Sequence, residues 1–132
     1  MIVVDASVLA NALADDGADG TAARARLAAA GELAAPDLVD VEAVAVLRKR
    51  WIAGDLTGDR FSDAVEDLGD LAMTRYPALP LMRRAFELRD NVTAYDAAYV
   101  ALAEQLGCTL LTADRRLAAA PTVTCEVEVL TT

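Results

Sequence analysis

Residues 94–106, AYDAAYVALAEQL, hold a helical pattern that stops at Gly107, and the chain emerges at once as the short apolar run CTLLT. The same alternation runs the length of the chain. MIVVD reads as a buried strand ending in an acid, and ASVLANALA as a helix broken by the acidic, glycine-rich DDGADG. Residues 21–30 form an alanine-rich helix closed by Gly31, and ELAAP is a short strand before Pro36. Asp37 is a good N-cap for the helix that Gly54 ends. A further helix spans roughly 58–72, MTRYP is another short strand, and LPLMRRAFELRD is helical. DRRLAAAP supplies a helical turn or two, and VTCEVEVL the last strand. Strands alternating with helices imply an α/β fold with a parallel sheet covered on both faces. Ligands of such sheets bind beyond the carboxyl ends of the strands. No repeat or linker interrupts the pattern, so residues 1–132 read as one domain.

Composition narrows the chemistry. The chain has no histidine, which excludes Ser-His-Asp and Cys-His triads, histidine-based RNA cleavage and histidine-ligated zinc. Cys108 and Cys125 are too few for a disulfide framework or a four-thiolate zinc site, and read as small core residues. Any metal must therefore be held by oxygen, which favours Mg²⁺ or Mn²⁺. A net charge of −9 argues against loose electrostatic binding to nucleic acid. It leaves room for a nuclease in which cations bridge acids to phosphate. No apolar run approaches a membrane span and no signal pattern opens the chain, so the expected location is cytoplasmic.

Three acids sit where strands and helices meet, and each has a bland explanation. Asp5 can cap the helix that follows it. Asp96 falls three residues after Thr93, the N3 position of a capping-box variant. Asp114 can cap residues 115–119. Glu42 resists such an account. It reads as mid-helical, and Leu38, Val39, Ala45 and Val46, its neighbours at three and four positions, are all apolar. A carboxylate on a core-facing stripe needs an arginine partner, a metal, or a raised pKa. Converging acids would repel by on the order of 4 kcal/mol per pair at about 4 Å and an effective dielectric of 20, and a divalent ion reverses that sign.

MIVVDASVL, APDLVDVEAVAVLRK, TAYDAAYVALAEQLG and LLTADRRL, in this order and spacing, resemble PIN-domain ribonucleases. Within them the resemblance is to the VapC-type toxins of type II toxin–antitoxin pairs, and it runs from residue 1 to about residue 130. It implies a PIN-like three-layer sandwich with a parallel sheet of about five strands flanked by helices. It assigns metal-ligand or catalytic roles to Asp5, Glu42, Asp96 and Asp114, with Ser7 and Thr112 as supporting hydroxyls. Some relatives carry a further acid where this chain has Arg115 and Arg116, which puts a second metal in question. The implied activity is endoribonucleolytic hydrolysis of RNA with Mg²⁺ or Mn²⁺. The implied partners are RNA, a VapB-type antitoxin and a second copy in a homodimer, with no membrane. Arg89, Arg115 and Arg116 are candidates for the RNA backbone. An aspartate-based phosphatase is disfavoured, because Ser7 stands where a second acid is wanted and Lys49, the one lysine, lies within a helix. A catalytically silent binding module is the other alternative, against which stands the intact set of four acids.

Overall fold

Each residue of Ile2–Val4 is apolar and buried, as expected for a strand covered on both faces. This is β1, the middle of a five-stranded, wholly parallel sheet of order β3-β2-β1-β4-β5. The others are β2 (Leu33–Pro36), β3 (Thr74–Tyr76), β4 (Thr109–Thr112) and β5 (Val127–Val129). The structure is a computed structural model that describes residues 1–131. Pairing sets Ile2 beside Leu33 and Val4 beside Leu111, so the carboxyl ends of β1, β2 and β4 lie along one edge.

Among the described residues seven α-helices connect the strands: α1 (Ala6–Ala14), α2 (Ala18–Ala29), α3 (Val39–Ile52), α4 (Gly58–Asp70), α5 (Met82–Glu87), α6 (Ala94–Leu106) and α7 (Arg115–Ala118). A 3₁₀ turn, Leu79–Leu81, leads into α5. Going from β1 to β2 to β3 the chain steps one way across the sheet, and from β3 to β4 it steps back. Right-handed crossovers then put the helices of the two halves on opposite faces. Their packing agrees, since α1 touches α2, α3 and α4, while α6 touches α5, β1, β2 and β4. Val3, Val4, Leu110 and Leu111 form the fully buried centre of the core with Val100 and Leu102 of α6. A smaller cluster, Ala10, Leu47, Leu56 and Ala64, joins α1, α3 and α4. Among the described residues, no helix is long and apolar enough to cross a membrane.

The layers are those expected, but several boundaries differ. Asp37 is not the cap of α3. Its carboxylate accepts from the Ala78 amide at 3.2 Å, tying the loop after β3, and α3 begins at Val39. Glu42 therefore lies in the first turn of α3 and not in mid-helix. α2 starts at Ala18, so Gly20 is inside a helix and not in a loop. The last strand is three residues long, because the chain bends at Cys125 before pairing with β4.

Candidate functional site

The strand order reverses between β1 and β4, and a crevice opens beyond the carboxyl ends of two strands at such a reversal. Asp5 leaves β1 at this point. Its amide pairs with the Leu111 carbonyl at 3.1 Å, which fixes the residue beside the end of β4. Asp5 caps α1, accepting from the Val8 amide at 3.1 Å, so the modest reading of this residue is correct as far as it goes. The cap uses little of the carboxylate. The same Oδ1 accepts the Ser7 hydroxyl at 2.6 Å, and Oδ2 accepts the Thr112 hydroxyl. Ser7 and Thr112 thus orient Asp5 from the start of α1 and the end of β4. Burial raises the Asp5 pKa, and these hydrogen bonds only partly oppose the shift.

Glu42 and Asp96 enter the same crevice from helices. α3 begins after β2 and α6 runs down into β4, so both present their N-termini to the carboxyl edge of the sheet. Thr93 caps α6, accepting from the Asp96 amide at 3.3 Å. Burial raises the pKa of Asp96, and the charges of Asp5 and Asp114 add to it. Burial likewise raises Glu42, with Asp96 and Asp5 adding and one hydrogen bond opposing. That bond is donated by the Tyr99 hydroxyl at 2.6 Å. Among the described residues no arginine pairs with Glu42, so the ion pair weighed for it is not formed.

Asp114 differs from the other three. It caps α7 through the Arg116 amide at 2.9 Å, and its oxygens take the Arg116 guanidinium at 3.1 Å on both Nε and Nη2. Arg116 lowers the Asp114 pKa and also acts favourably on Asp96. Asp96, Asp114 and Arg116 line one small pocket of about 170 Å³. Of the arginines considered for RNA, Arg116 is thus engaged by Asp114, and Arg89 lies over the Phe86 ring at 4.1 Å. Asp40 is paired with Arg75 at 2.9 Å, and stays outside the site.

The four acids are thus brought to one edge, where Asp96 feels Asp5 and Asp114 and Glu42 feels Asp96 and Asp5, although they are not gathered into a closed cage. Among the described residues, no group of three or more Cys, Asp or Glu side chains is arranged to hold a metal ion by itself. The donor set still suits a hard cation, being all oxygen, partly buried and mutually repulsive. Mg²⁺ commonly takes one or two carboxylates and keeps several waters, which asks less of the protein than a cage. A wider concavity of about 600 Å³ lies elsewhere, where Arg50 meets Asn11 and Arg60 meets Asp16. It is a zone of surface polar contacts and holds none of these acids.

Sequence reasoning missed Tyr99. It stands three residues after Asp96 on the same face of α6 and reads as apolar company for that acid. Only the approach of α3 reveals that its buried ring carries a hydroxyl aimed at Glu42. Burial and the Glu42 charge push the phenol pKa upward, so the hydroxyl remains a donor.

A doubly wound parallel sheet with acids from four chain segments at its reversal point defines an α/β protein with an anionic switch-point site. Residues 2–122 match the PIN domain, and the chain belongs to the PIN-domain family. It is 45% identical to VapC ribonuclease Mb0985 of Mycobacterium bovis, covering 98% of both chains. Among solved structures it is similar to Mycobacterium tuberculosis VapC20, described as a sarcin-ricin loop cleaving toxin. The TM-score is 0.71 at 19% identity, over 90% of this chain and 94% of that one. It also resembles the chain solved in VapBC2 of Rickettsia felis bound to a promoter DNA fragment. There the TM-score is 0.68 at 14% identity, over 99% and 100% of the two chains.

Proposed function

We propose that the chain is a divalent-metal-dependent endoribonuclease, the toxin of a toxin–antitoxin pair. The observation that carries this reading is the state of Asp5, Glu42 and Asp96. All three are pushed upward in pKa by burial, and Asp5 acts on both of the others. Such an arrangement costs stability in the free protein and is relieved by a cation. Asp5 and Asp96 are the direct ligands, and Glu42 and Asp114 complete the shell directly or through water. A Mg²⁺ or Mn²⁺ ion held by these carboxylates would supply an activated water and charge neutralisation at the phosphate, chemistry for which the chain has no histidine.

The protein's own groups do the positioning. Ser7, Thr112 and the Val8 amide hold the Asp5 carboxylate in one orientation at the mouth of the crevice. Tyr99 holds Glu42 in one rotamer and keeps it from folding away. Arg116, whose side chain is fully at the surface, can leave Asp114 for a phosphate oxygen of the substrate. The negative site also suits capture by an arginine on a VapB-type antitoxin tail, the proposed means of silencing, and a homodimer is the proposed assembly. A cytoplasmic location goes with this reading.

The test is cleavage of RNA by purified protein with and without a chelator, alongside Asp5→Asn and Asp96→Asn. Loss of cleavage in all three cases, with Mn²⁺ or Mg²⁺ restoring the first, is expected. Full activity in the chelator or in either variant overturns the proposal.

A further inference from the structure

Two of the most exposed large apolar side chains flank the acids. Val41 precedes Glu42 and is 75% exposed, and Tyr95 precedes Asp96 and is 65% exposed. They face one groove of about 370 Å³, whose other walls are Glu42, Ala45, Val46 and Lys49. Val41, Ala45 and Lys49 recur every four residues along one side of α3, so the groove has an apolar floor and ends in an ammonium group. Glu42 belongs to this groove as well as to the acid site, making the two continuous. An aromatic ring beside a cleavage site, with an apolar floor and one distant cation, has the makings of a stacking platform for single-stranded nucleic acid.

We infer that this groove seats an unpaired nucleobase of the RNA substrate, stacked on Tyr95, with a neighbouring phosphate directed to Lys49. The volume is in the range of sites that take small ligands. The charge is complementary, because Lys49 is exposed and has no ion-pair partner among the described residues of an otherwise acidic chain. A protein partner is a poorer occupant. Val41 and Tyr95 make a small patch, where stable association buries about 800 Å² per partner. Covering the groove would also cover Glu42. Bases offer a flat π-face whatever their sequence, so the platform explains retention of single-stranded RNA and leaves sequence choice to other contacts.

The inference rests on the ribonuclease reading, and the experiment separates the two. Binding of a short, mixed-sequence single-stranded RNA bearing a fluorescent aminopurine is measured in the Asp96→Asn background, where nothing is cut. Cleavage of the same RNA is measured in the wild-type background. Tyr95→Ala should weaken binding and raise KM by roughly five- to hundredfold, the worth of one stacked base, with little change in kcat. It should also abolish the quenching of the aminopurine. Tyr95→Phe, which keeps the ring, should restore most of both. Lys49→Ala should lower the salt dependence of binding by about one ion. Unchanged KM and quenching in a folded Tyr95→Ala protein that still cuts RNA would overturn the platform and leave the ribonuclease standing. A Tyr95-dependent RNA complex in a protein that never cuts would do the reverse. No RNA binding by the Asp96→Asn protein, or a change of oligomeric state in Tyr95→Ala with RNA binding intact, also overturns the platform, the latter in favour of a protein interface.

Discussion

Tyr99 and Asp96 lie one turn apart on α6 and pull the site in opposite directions. The Tyr99 hydroxyl is the hydrogen bond that lowers the Glu42 pKa against burial and against Asp96 and Asp5. Tyr99→Phe keeps the ring in the core and removes that bond, so the Glu42 pKa should rise further and its hold on a cation weaken. A hydrogen bond to a charged group is worth about 1.5–3 kcal/mol, so the Mn²⁺ concentration for half-maximal cleavage should rise at least tenfold. Saturating Mn²⁺ should recover the rate, and an unshifted Mn²⁺ curve would remove Tyr99 from the site. For Asp96 the sign is the opposite of a stabilising acid. Its native pKa is raised by burial above the ordinary aspartate value, so the folded protein keeps this proton at pH values where the unfolded chain has lost it. The stability it contributes when protonated disappears as pH rises through the raised value. Asp96→Asn should therefore melt higher than wild type at neutral pH without metal. The gain should shrink as the pH falls toward the ordinary aspartate value, and a melting curve at each pH checks it. What was legible at this scale was which acids stand out. Which of them has a partner was not, since Tyr99 meets Glu42 across a sequence distance of 57 residues.

Helix and strand types were readable along most of the chain, because buried parallel strands and helices differ in length and punctuation. The errors fall where glycine or aspartate was given its usual role. Asp37 looks like a cap and instead binds the loop after β3, which moves the start of α3 to Val39 and Glu42 into its first turn. There the partial positive end of the helix favours the carboxylate, something a mid-helix position could not offer. Gly20 looks like part of a break and instead lies in the first turn of α2, packed against Asp15 at the end of α1. Asp15 Oδ1 accepts the Gly17 and Gly20 amides at 2.7 and 3.2 Å, drawing the chain into a turn. A Cβ on Gly20 would lie 1.8 Å from the Asp15 carbonyl oxygen, which is backbone and cannot step aside. Gly20→Ala should therefore cost about 2 kcal/mol or more despite the better helix propensity of alanine. Denaturant titration would show a lower midpoint at an unchanged slope, while the folded fraction keeps its cleavage rate, since the acids sit at the far ends of other elements. An unchanged midpoint would mean that α2 can slide to make room.

At the scale of the whole molecule the acids whose pKa is displaced are displaced in two directions. Burial pushes Glu104 up, but hydrogen bonds from Arg84 and Thr124 override it and bring it down to about 2. Glu128, held by Arg26, is also lowered. These join α6 and α2 to the β5 end of the chain, and they contribute stability above the unfolded carboxylate pKa that is lost only as pH falls through their lowered values. Asp5, Glu42 and Asp96 are raised and unpaired by any arginine salt bridge among the described residues. Mild acid therefore acts on the site before it acts on the frame. That ordering predicts how a cation and the fold are linked. A ligand bound only by the native state adds about 2.7 kcal/mol at a hundredfold excess over its Kd, so Mn²⁺ should raise the melting temperature at neutral pH by several degrees. Lowering the pH toward the raised site values should abolish the Mn²⁺ increment while the metal-free protein remains folded, because protons and metal compete for the same oxygens and Glu104 and Glu128, with lowered pKa values, are still ionised. Asp5→Asn should remove the increment at every pH. Calorimetry with and without Mn²⁺ across this range decides the matter: an increment that persists in Asp5→Asn, or that fades only as the whole protein unfolds, would place the cation somewhere other than this crevice.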